Sequence, residues 1–309
     1  MAASLVATLE HPRWWLLALA GFLVRGGLLV FLLPIVVLPT PAGLTNAVAP
    51  TLVGFVFGSP SESFVTLVVV LIVGFAAWLL LGGLLAAWID VALAGEVARD
   101  RQPGSHAPDR PGLAWRALVA RLASHLPLAI VLSWAAVRLV EAVYAEYVTP
   151  GDVTVPIVLR VVLRIPEVIA AIVVVWLAGE TAGGLAVRHL ALRPRTSMLA
   201  ALARSWLDLL VRPTVLASLL VTNAVVIMVS APAAAAAAFA WGRLRTALAA
   251  GLEPYVVATT VAAFVTIWLA GLGLAAVAVA WRGAAWTYET ARRLDPGLSV
   301  RHTAPGEAV

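Results

Sequence analysis

The chain has no cysteine and no lysine. Without cysteine it has no disulfide bond, no thiolate nucleophile and no cysteine-ligated metal. Without lysine it cannot complete the Gly-x-x-x-x-Gly-Lys-[Ser/Thr] loop with which many nucleotide hydrolases hold phosphate, and no such glycine pattern occurs. All 21 basic residues are therefore arginines, which we ascribe to codon usage in a GC-rich genome.

Catalytic and metal-binding motifs are also missing. The chain contains no His-Glu-x-x-His pair, and its five histidines never recur at the spacing of a metal site. It has no Gly-x-Ser-x-Gly nucleophile elbow. We therefore expect a protein that is not an enzyme and that uses neither a cofactor nor a bound metal.

Charged residues make up only 12% of the chain, while hydrophobic residues make up 62%. Soluble domains have roughly 25% charged and about 45–50% apolar residues. A spanning helix needs about 20 mostly apolar residues, and six runs qualify: 14–38, 64–89, 126–143, 156–187, 213–230 and 255–281. Because hydrocarbon leaves the backbone no external hydrogen-bond partner, these runs predict helices. The expected fold class is all-α, a polytopic bundle of six transmembrane helices.

The arginines predict the orientation of this bundle. They concentrate in segments 90–121 and 188–212 and in the C-terminal tail, whereas segments 39–63 and 144–155 have none. By the positive-inside rule both termini are cytoplasmic, in a bacterial inner membrane crossed several times. The net charge of +5 then reflects binding to anionic lipid headgroups at the arginine clusters, not to nucleic acid.

The spans predict three helical hairpin repeats, about 1–104, 113–194 and 197–297. They would form a single transmembrane domain, 1–297, with a disordered tail, 298–309. Amphipathic helices precede the third and fifth spans and end at Pro127 and Pro213. The apolar stripe of the first is Trp115, Leu118, Val119, Leu122 and Leu126, opposite Arg116, Arg121 and His125; that of the second is Leu199, Leu202, Trp206, Leu209 and Leu210.

These two helices are expected to lie in the cytoplasmic membrane interface, or alternatively to pack on the cytoplasmic face of the bundle. Two outer segments, 39–61 and 233–250, are predicted to be interfacial or re-entrant. The second of them, rich in alanine, is expected to form an outer interfacial helix.

Two spans leave the membrane with the same pattern, Glu-x-Ala-Arg-x-x-x-Pro-Gly. Its copies begin at Glu96 with Arg99 and at Glu289 with Arg292. Arginine near the negative end of a helix, followed by Pro-Gly, is typical of a helix C-terminus. The alternative is a surface that binds a cytoplasmic ATPase or another membrane subunit.

Polar residues within the apolar runs are the candidate functional residues, because they are costly in a bilayer. Arg25, Arg138 and Asn223 lie about 15–20 Å from the inner boundary, and Glu180 lies roughly 12 Å deep. We expect Glu180 to pair with Arg25 or Arg138. The pair would either fix the fold or belong to a substrate or proton site.

A second candidate group surrounds Pro166 near the outer surface. Arg160, Arg164 and Glu167 indicate an arginine-bearing helix that kinks into the fourth span. The group is either a site for an anion or a lipid headgroup, or a set of arginines that reach the outer headgroups. In the second case Arg164 and Glu167 can neutralise each other.

The chain resembles a broad group of uncharacterised bacterial six-span integral membrane proteins. They are similar to the membrane domain that precedes some glycerophosphodiester phosphodiesterases. The resemblance lies in an exit-and-return pattern, Arg193-Pro-Arg-Thr-Ser197 followed by the amphipathic segment 199–211 and a span. It implies the fold class and a membrane location. It transfers no catalytic residue, since no long polar domain is present.

Two functions remain open from the sequence. The first is a non-catalytic membrane protein, either a membrane subunit of a transport system or a small permease, with a mid-membrane polar cluster. Internal repeats and intramembrane polar residues are typical of transporters. The alternative is a structural or lipid-organising membrane protein with no translocation path.

Overall fold

A computed structural model describes residues 2–32, 58, 62–101, 112–152, 154–193 and 195–294. Its helices, in chain order, are α1 (Ala2–Glu10), α2 (Pro12–Phe22), α3 (Leu28–Leu32), α4 (Glu62–Ala77), α5 (Gly83–Arg101), α6 (Leu113–Ser124), α7 (Leu126–Val148), α8 (Ile157–Leu163), α9 (Pro166–Leu192), α10 (Met198–Val211), α11 (Pro213–Ala249) and α12 (Pro254–Leu294). Single π-helical turns, Leu23–Gly27 and Trp78–Gly82, join α2 to α3 and α4 to α5. The described residues contain no strand.

Six helical segments in the described part of the chain are long and apolar enough to cross a membrane. They are Pro12–Leu32, Phe64–Asp100, Leu113–Val148, Pro166–Leu192, Val215–Ala249 and Pro254–Arg292. The expected all-helical fold with six spans is therefore confirmed at this level. The three hairpin repeats and the interfacial position of the amphipathic helices stay predictions.

Proline begins several of the helices. α2, α9, α11 and α12 each start on a proline, whose fixed φ suits the first helical position and whose missing N–H has no partner there anyway. The expected breaks before the third and fifth spans are present: α6 ends at Ser124 just before α7, and α10 ends at Val211 just before α11.

The segment 233–250 is helical, as expected, but it is not a separate outer element. α11 continues through Pro232 to Ala249, so the segment 233–250 is not a separate interfacial or re-entrant helix. A proline removes one backbone hydrogen bond, but the alanine run that follows has the highest helix propensity of any residue type. Only residues 250–253 separate α11 from α12. Segment 39–61, apart from Gly58, and the tail 298–309 lie outside the described residues.

The chain divides into two compact units. Unit 1 combines Met1–Val36, Gly82–Leu122 and Thr181–Val309. Within it, α12 packs along α11, α2, α1 and α5. Fully buried alanines such as Ala280 and Ala284 lie on α12, and small side chains of this kind let membrane helices approach closely. The unit also holds Trp14 and Leu93 in one apolar cluster with them.

Unit 2 combines Val37–Leu81 and Ala123–Glu180. Its core joins α7, α8 and the first part of α9 through Ala135, Val161 and Val168 among other apolar residues. The side chain of Ser124 donates a hydrogen bond to the carbonyl of Gly179 at 2.9 Å. A Cβ on Gly179 would lie 3.0 Å from the Ser124 carbonyl oxygen, so glycine is what permits this approach.

Candidate functional site

An ion cluster centred on Asp90 lies inside unit 1. Asp90 is on α5 and is 5% exposed. One carboxylate oxygen accepts a hydrogen bond from Arg25 Nη2. The other accepts from Arg121 Nη2 at 2.6 Å. Each oxygen thus receives an arginine from a different part of the chain, and charge-assisted bonds of this type are the strong ones.

A break in the second helix places Arg25 in this cluster. Arg25 lies in the π-helical turn Leu23–Gly27, where Gly26 has a φ of 109°. Residues with a Cβ are disfavoured in that conformation, whereas glycine adopts it readily. A Cβ on Gly21 would lie 3.4 Å from Arg25 Nη2 and 3.2 Å from Ile89. The two glycines therefore re-aim the helix and leave room for the guanidinium group.

Two more arginines flank the ring of Trp286, which is 2% exposed. The guanidinium carbons of Arg188 and Arg282 lie 5.2 and 5.3 Å from the ring centroid, within the range of a cation–π interaction. The indole N–H donates to Thr222 Oγ1 at 2.8 Å, which fixes the ring. A Cβ on Gly184 would lie 2.2 Å from the ring, so only glycine fits beside Trp286.

Each of these two arginines donates one hydrogen bond to a neutral oxygen. Arg188 Nη1 donates to the carbonyl of Gly184 at 2.7 Å. Arg282 Nη1 donates to Asn223 Oδ1 at 3.0 Å. Two buried donors beside them, Arg188 Nε and Asn223 Nδ2, have no hydrogen-bond partner. Asp90 attracts the charge of Arg188, whereas Arg25, Arg121 and Arg282 repel it, so these four side chains all lie within electrostatic range of Arg188.

These side chains surround a small internal cavity of about 10 Å³, which is room for about one water molecule. Its polar lining consists of four arginines and one carboxylate, and its apolar lining includes the Trp286 ring. The complete lining is Ala18, Arg25, Asp90, Leu93, Arg121, Arg188, Val279, Arg282, Gly283 and Trp286. This lining carries many hydrogen-bond donors and few acceptors.

The predicted intramembrane residues divide between two groups. Arg25 lines the cavity, and Asn223 reaches it through its hydrogen bond to Arg282. Arg138 instead pairs with Glu141 at 2.6 Å and with Glu167 at 3.2 Å, in unit 2. Glu180 is the last residue of unit 2. Its pairing with an arginine stays a prediction.

The sequence did not identify four members of the cluster as site residues: Asp90, Arg121, Arg188 and Arg282. Asp90 directly follows the second apolar run, so it was assigned to the cytoplasmic exit. However, α5 continues to Arg101. Arg121 was placed on the polar face of an amphipathic helix, yet its side chain is only 11% exposed and turns to Asp90. On the same helix Trp115 is 54% exposed. For Asp90, Arg188 and Arg282 the missed signal was helix length, since α5, α9 and α12 each extend beyond the apolar run.

The outer candidate group is organised by a residue not among those predicted. Glu146 is buried on α7 and receives Arg164 Nε at one oxygen, while Arg160 Nε lies 3.3 Å from the other. The backbone N–H of Gly151 also donates to Glu146. Glu167 pairs with Arg138. The two arginines therefore hold the turn between α7 and α8 through a shared carboxylate.

Each copy of the repeated Glu-x-Ala-Arg-x-x-x-Pro-Gly pattern contains a local ion pair. Arg99 lies 2.8 Å from Glu96 on α5, and Arg292 lies 3.6 Å from Glu289 on α12. The binding of a cytoplasmic partner at these residues stays a prediction. Nearby, Asp100 has His11 Nε2 at 3.4 Å and accepts a hydrogen bond from the Tyr288 hydroxyl at 3.2 Å, which ties the ends of three helices together.

Comparisons with known proteins give no assignment. No protein-family model matches the chain, and no curated protein or solved structure matches it. The resemblance to the membrane domain of glycerophosphodiester phosphodiesterases stays a prediction. Any functional inference therefore depends on the geometry of the Asp90 cluster.

Proposed function

We propose that this is a non-catalytic membrane transport protein, either a small permease or the membrane subunit of a transport system. It would reside in a bacterial inner membrane with both termini in the cytoplasm, as the arginine distribution predicts. The observation that carries the proposal is the cavity around Asp90, because charged groups inside a membrane domain are costly and mark substrate pathways.

The cavity draws on every candidate span. Five spans each contribute one charged residue, and these are Arg25, Asp90, Arg121, Arg188 and Arg282 in chain order. The remaining span, Val215–Ala249, contributes Thr222 and Asn223, which hold Trp286 and Arg282. A site built from many helices changes shape when those helices rock against one another, as alternating access requires.

The same proposal includes binding to a protein partner and to the lipids of the bilayer. If the chain is a subunit, a cytoplasmic ATPase or another membrane subunit is proposed to bind at the two copies of the repeated pattern, through Glu96, Arg99, Glu289 and Arg292. The arginine clusters outside the spans bind anionic headgroups. The competing function, a structural or lipid-organising protein, requires no path from the cavity to either side of the membrane.

The absence of cysteine makes a direct test possible. Single-cysteine variants Ala18→Cys and Val279→Cys place a thiol in the cavity lining. Each is treated with a membrane-impermeant thiol reagent in right-side-out and in inside-out vesicles of native membrane. Ala94→Cys, at a residue only 1% exposed that is not part of the lining, is the matched control.

A transport protein with alternating access is expected to react at 18 and 279 from both sides, and at 94 from neither. Reaction at 18 and 279 from neither side, or from one side only, favours the structural alternative.

A further inference from the structure

We infer that α10 lies on an anionic lipid leaflet and binds it through an exposed stripe of leucines and the arginines around that stripe. This binding rests on the part of the proposed function that places the chain in a membrane with anionic headgroups at its arginine clusters. It does not depend on transport, so it is tested without any measurement at the Asp90 cavity.

One face of α10 is fixed on the rest of unit 1. Ala201 and Ser205 on this face are fully buried. Ala201 belongs to an apolar cluster that includes Leu190 of α9. The carboxylate of Asp208 lies 3.4 Å from Nε2 of His189, which is also on α9. Because these contacts hold the helix in one rotation, the direction of its opposite face is fixed as well.

The opposite face of α10 is apolar and exposed. Leu199, Leu207, Leu210 and Val211 are each more than half exposed. Since an α-helix has 3.6 residues per turn, the three leucines lie within about 80° of one another. The sequence predicts one stripe that joins Leu199 and Leu210 to Leu209, but the structure divides it, because Leu209 is buried. Leu199, Leu207 and Leu210 therefore form an exposed leucine stripe along the helix.

Arginines surround the leucine stripe. Arg193 and Arg195 precede α10, Arg204 lies on it and Arg212 follows it, and all four are exposed. Asp208 is the single acidic residue between positions 193 and 212, and its side chain is mostly buried. The exposed charge around the stripe is therefore positive. It complements anionic headgroups, which in the predicted orientation are those of the cytoplasmic leaflet.

The position of α10 in the chain favours lipid over a soluble protein as its partner. α10 ends at Val211, α11 begins at Pro213, and the fifth candidate span starts at Val215. Arg212 between the two helices has an extended backbone, so the chain changes direction there. A helix with an apolar stripe and arginines, placed where a span begins, is typical of the membrane interface.

The test uses the full-length protein, which has no cysteine of its own. Leu199→Cys and Leu210→Cys each carry a nitroxide spin label, and the proteins are placed in liposomes of phosphatidylcholine with or without phosphatidylglycerol. Collisions of the label with oxygen report lipid, and collisions with a water-soluble nickel chelate report water. Arg204→Cys is the matched control, because it is exposed on the same helix but outside the leucine stripe.

We expect the ratio of oxygen to chelate collisions to be several-fold higher at 199 and 210 than at 204. Phosphatidylglycerol should move the labels at 199 and 210 deeper. Arg193→Gln combined with Arg195→Gln should abolish that shift, because it removes two arginines beside the stripe. Arg243→Gln combined with Arg245→Gln should leave the shift unchanged, since this pair removes two exposed arginines near the far end of α11.

Chelate collisions at 199 and 210 as frequent as those at 204 overturn the inference. So do few collisions with either reagent, which would show that a protein surface covers the stripe. A depth that does not respond to phosphatidylglycerol, or an equal loss of the shift in both arginine pairs, overturns the assignment to anionic lipid. Lipid-exposed labels without the two-sided thiol reaction at 18 and 279 keep this surface and remove the transport function. The opposite pair of results keeps transport and removes this surface.

Discussion

Replacing Asp90 with asparagine removes the charge at the centre of the cluster while keeping its shape. The carboxylate accepts one arginine at each oxygen. Asparagine has one acceptor oxygen and one NH₂ group, so in either orientation its NH₂ group faces a guanidinium donor. One charge-assisted bond is weakened and the other becomes a repulsive contact.

The magnitude follows from burial. The side chain of Asp90 is 6% exposed, and those of Arg121 and Arg25 are 11% and 22% exposed. Removing one partner of a buried ion pair leaves an uncompensated charge and costs about 3–5 kcal/mol. We expect Asp90→Asn to lower the free energy of unfolding by that amount. Glu96→Gln, which breaks a pair 42–50% exposed, is expected to cost less than about 1 kcal/mol.

Both free-energy changes are measured by reversible unfolding in mixed micelles. The fraction of sodium dodecyl sulfate is raised stepwise, and the helix content is followed by circular dichroism. An Asp90→Asn protein within about 1 kcal/mol of wild type would refute the reasoning. So would a loss in Glu96→Gln as large as that in Asp90→Asn.

Four further variants test how the backbone, packing and ion pairs position the clusters. Gly184→Ala places a methyl group 2.2 Å from the Trp286 ring; it should cost about 1–3 kcal/mol and change tryptophan fluorescence. Gly26→Ala, at a φ of 109°, should cost about 1–2 kcal/mol. Gly273→Ala, where a Cβ meets nothing within 4 Å, should be neutral or slightly stabilising in the same unfolding assay. Glu146→Gln should lower the melting temperature and increase proteolysis between α7 and α8, because two arginines lose their shared carboxylate; unchanged cleavage would contradict this.

Much of the architecture was predictable because its causes are local. Hydrophobic composition and run length predict six helices long and apolar enough to cross a membrane, and the described residues contain six. Proline marks where helices begin because its ring fixes φ, and the starts of α2 and α11 follow this rule. The same rule does not hold at Pro232, because α11 continues through this proline and the alanines that follow it.

The candidate site was predicted only in part. Arg25 and Asn223 stood out because a polar residue within an apolar run needs an explanation. Asp90, Arg188 and Arg282 did not, since charged residues at the edge of an apolar run are expected to anchor a helix in the headgroups.

By itself, the amino-acid sequence determined that this chain forms apolar helices, where most of them start, and that arginine is its only strong cation. The tertiary structure decided which arginines turn inward and which carboxylate they share. Hydropathy records how deep a residue lies along its own helix. It does not record the rotation of one helix against the next, and that rotation brings Arg25, Arg121 and Asp90 together although they are far apart in sequence.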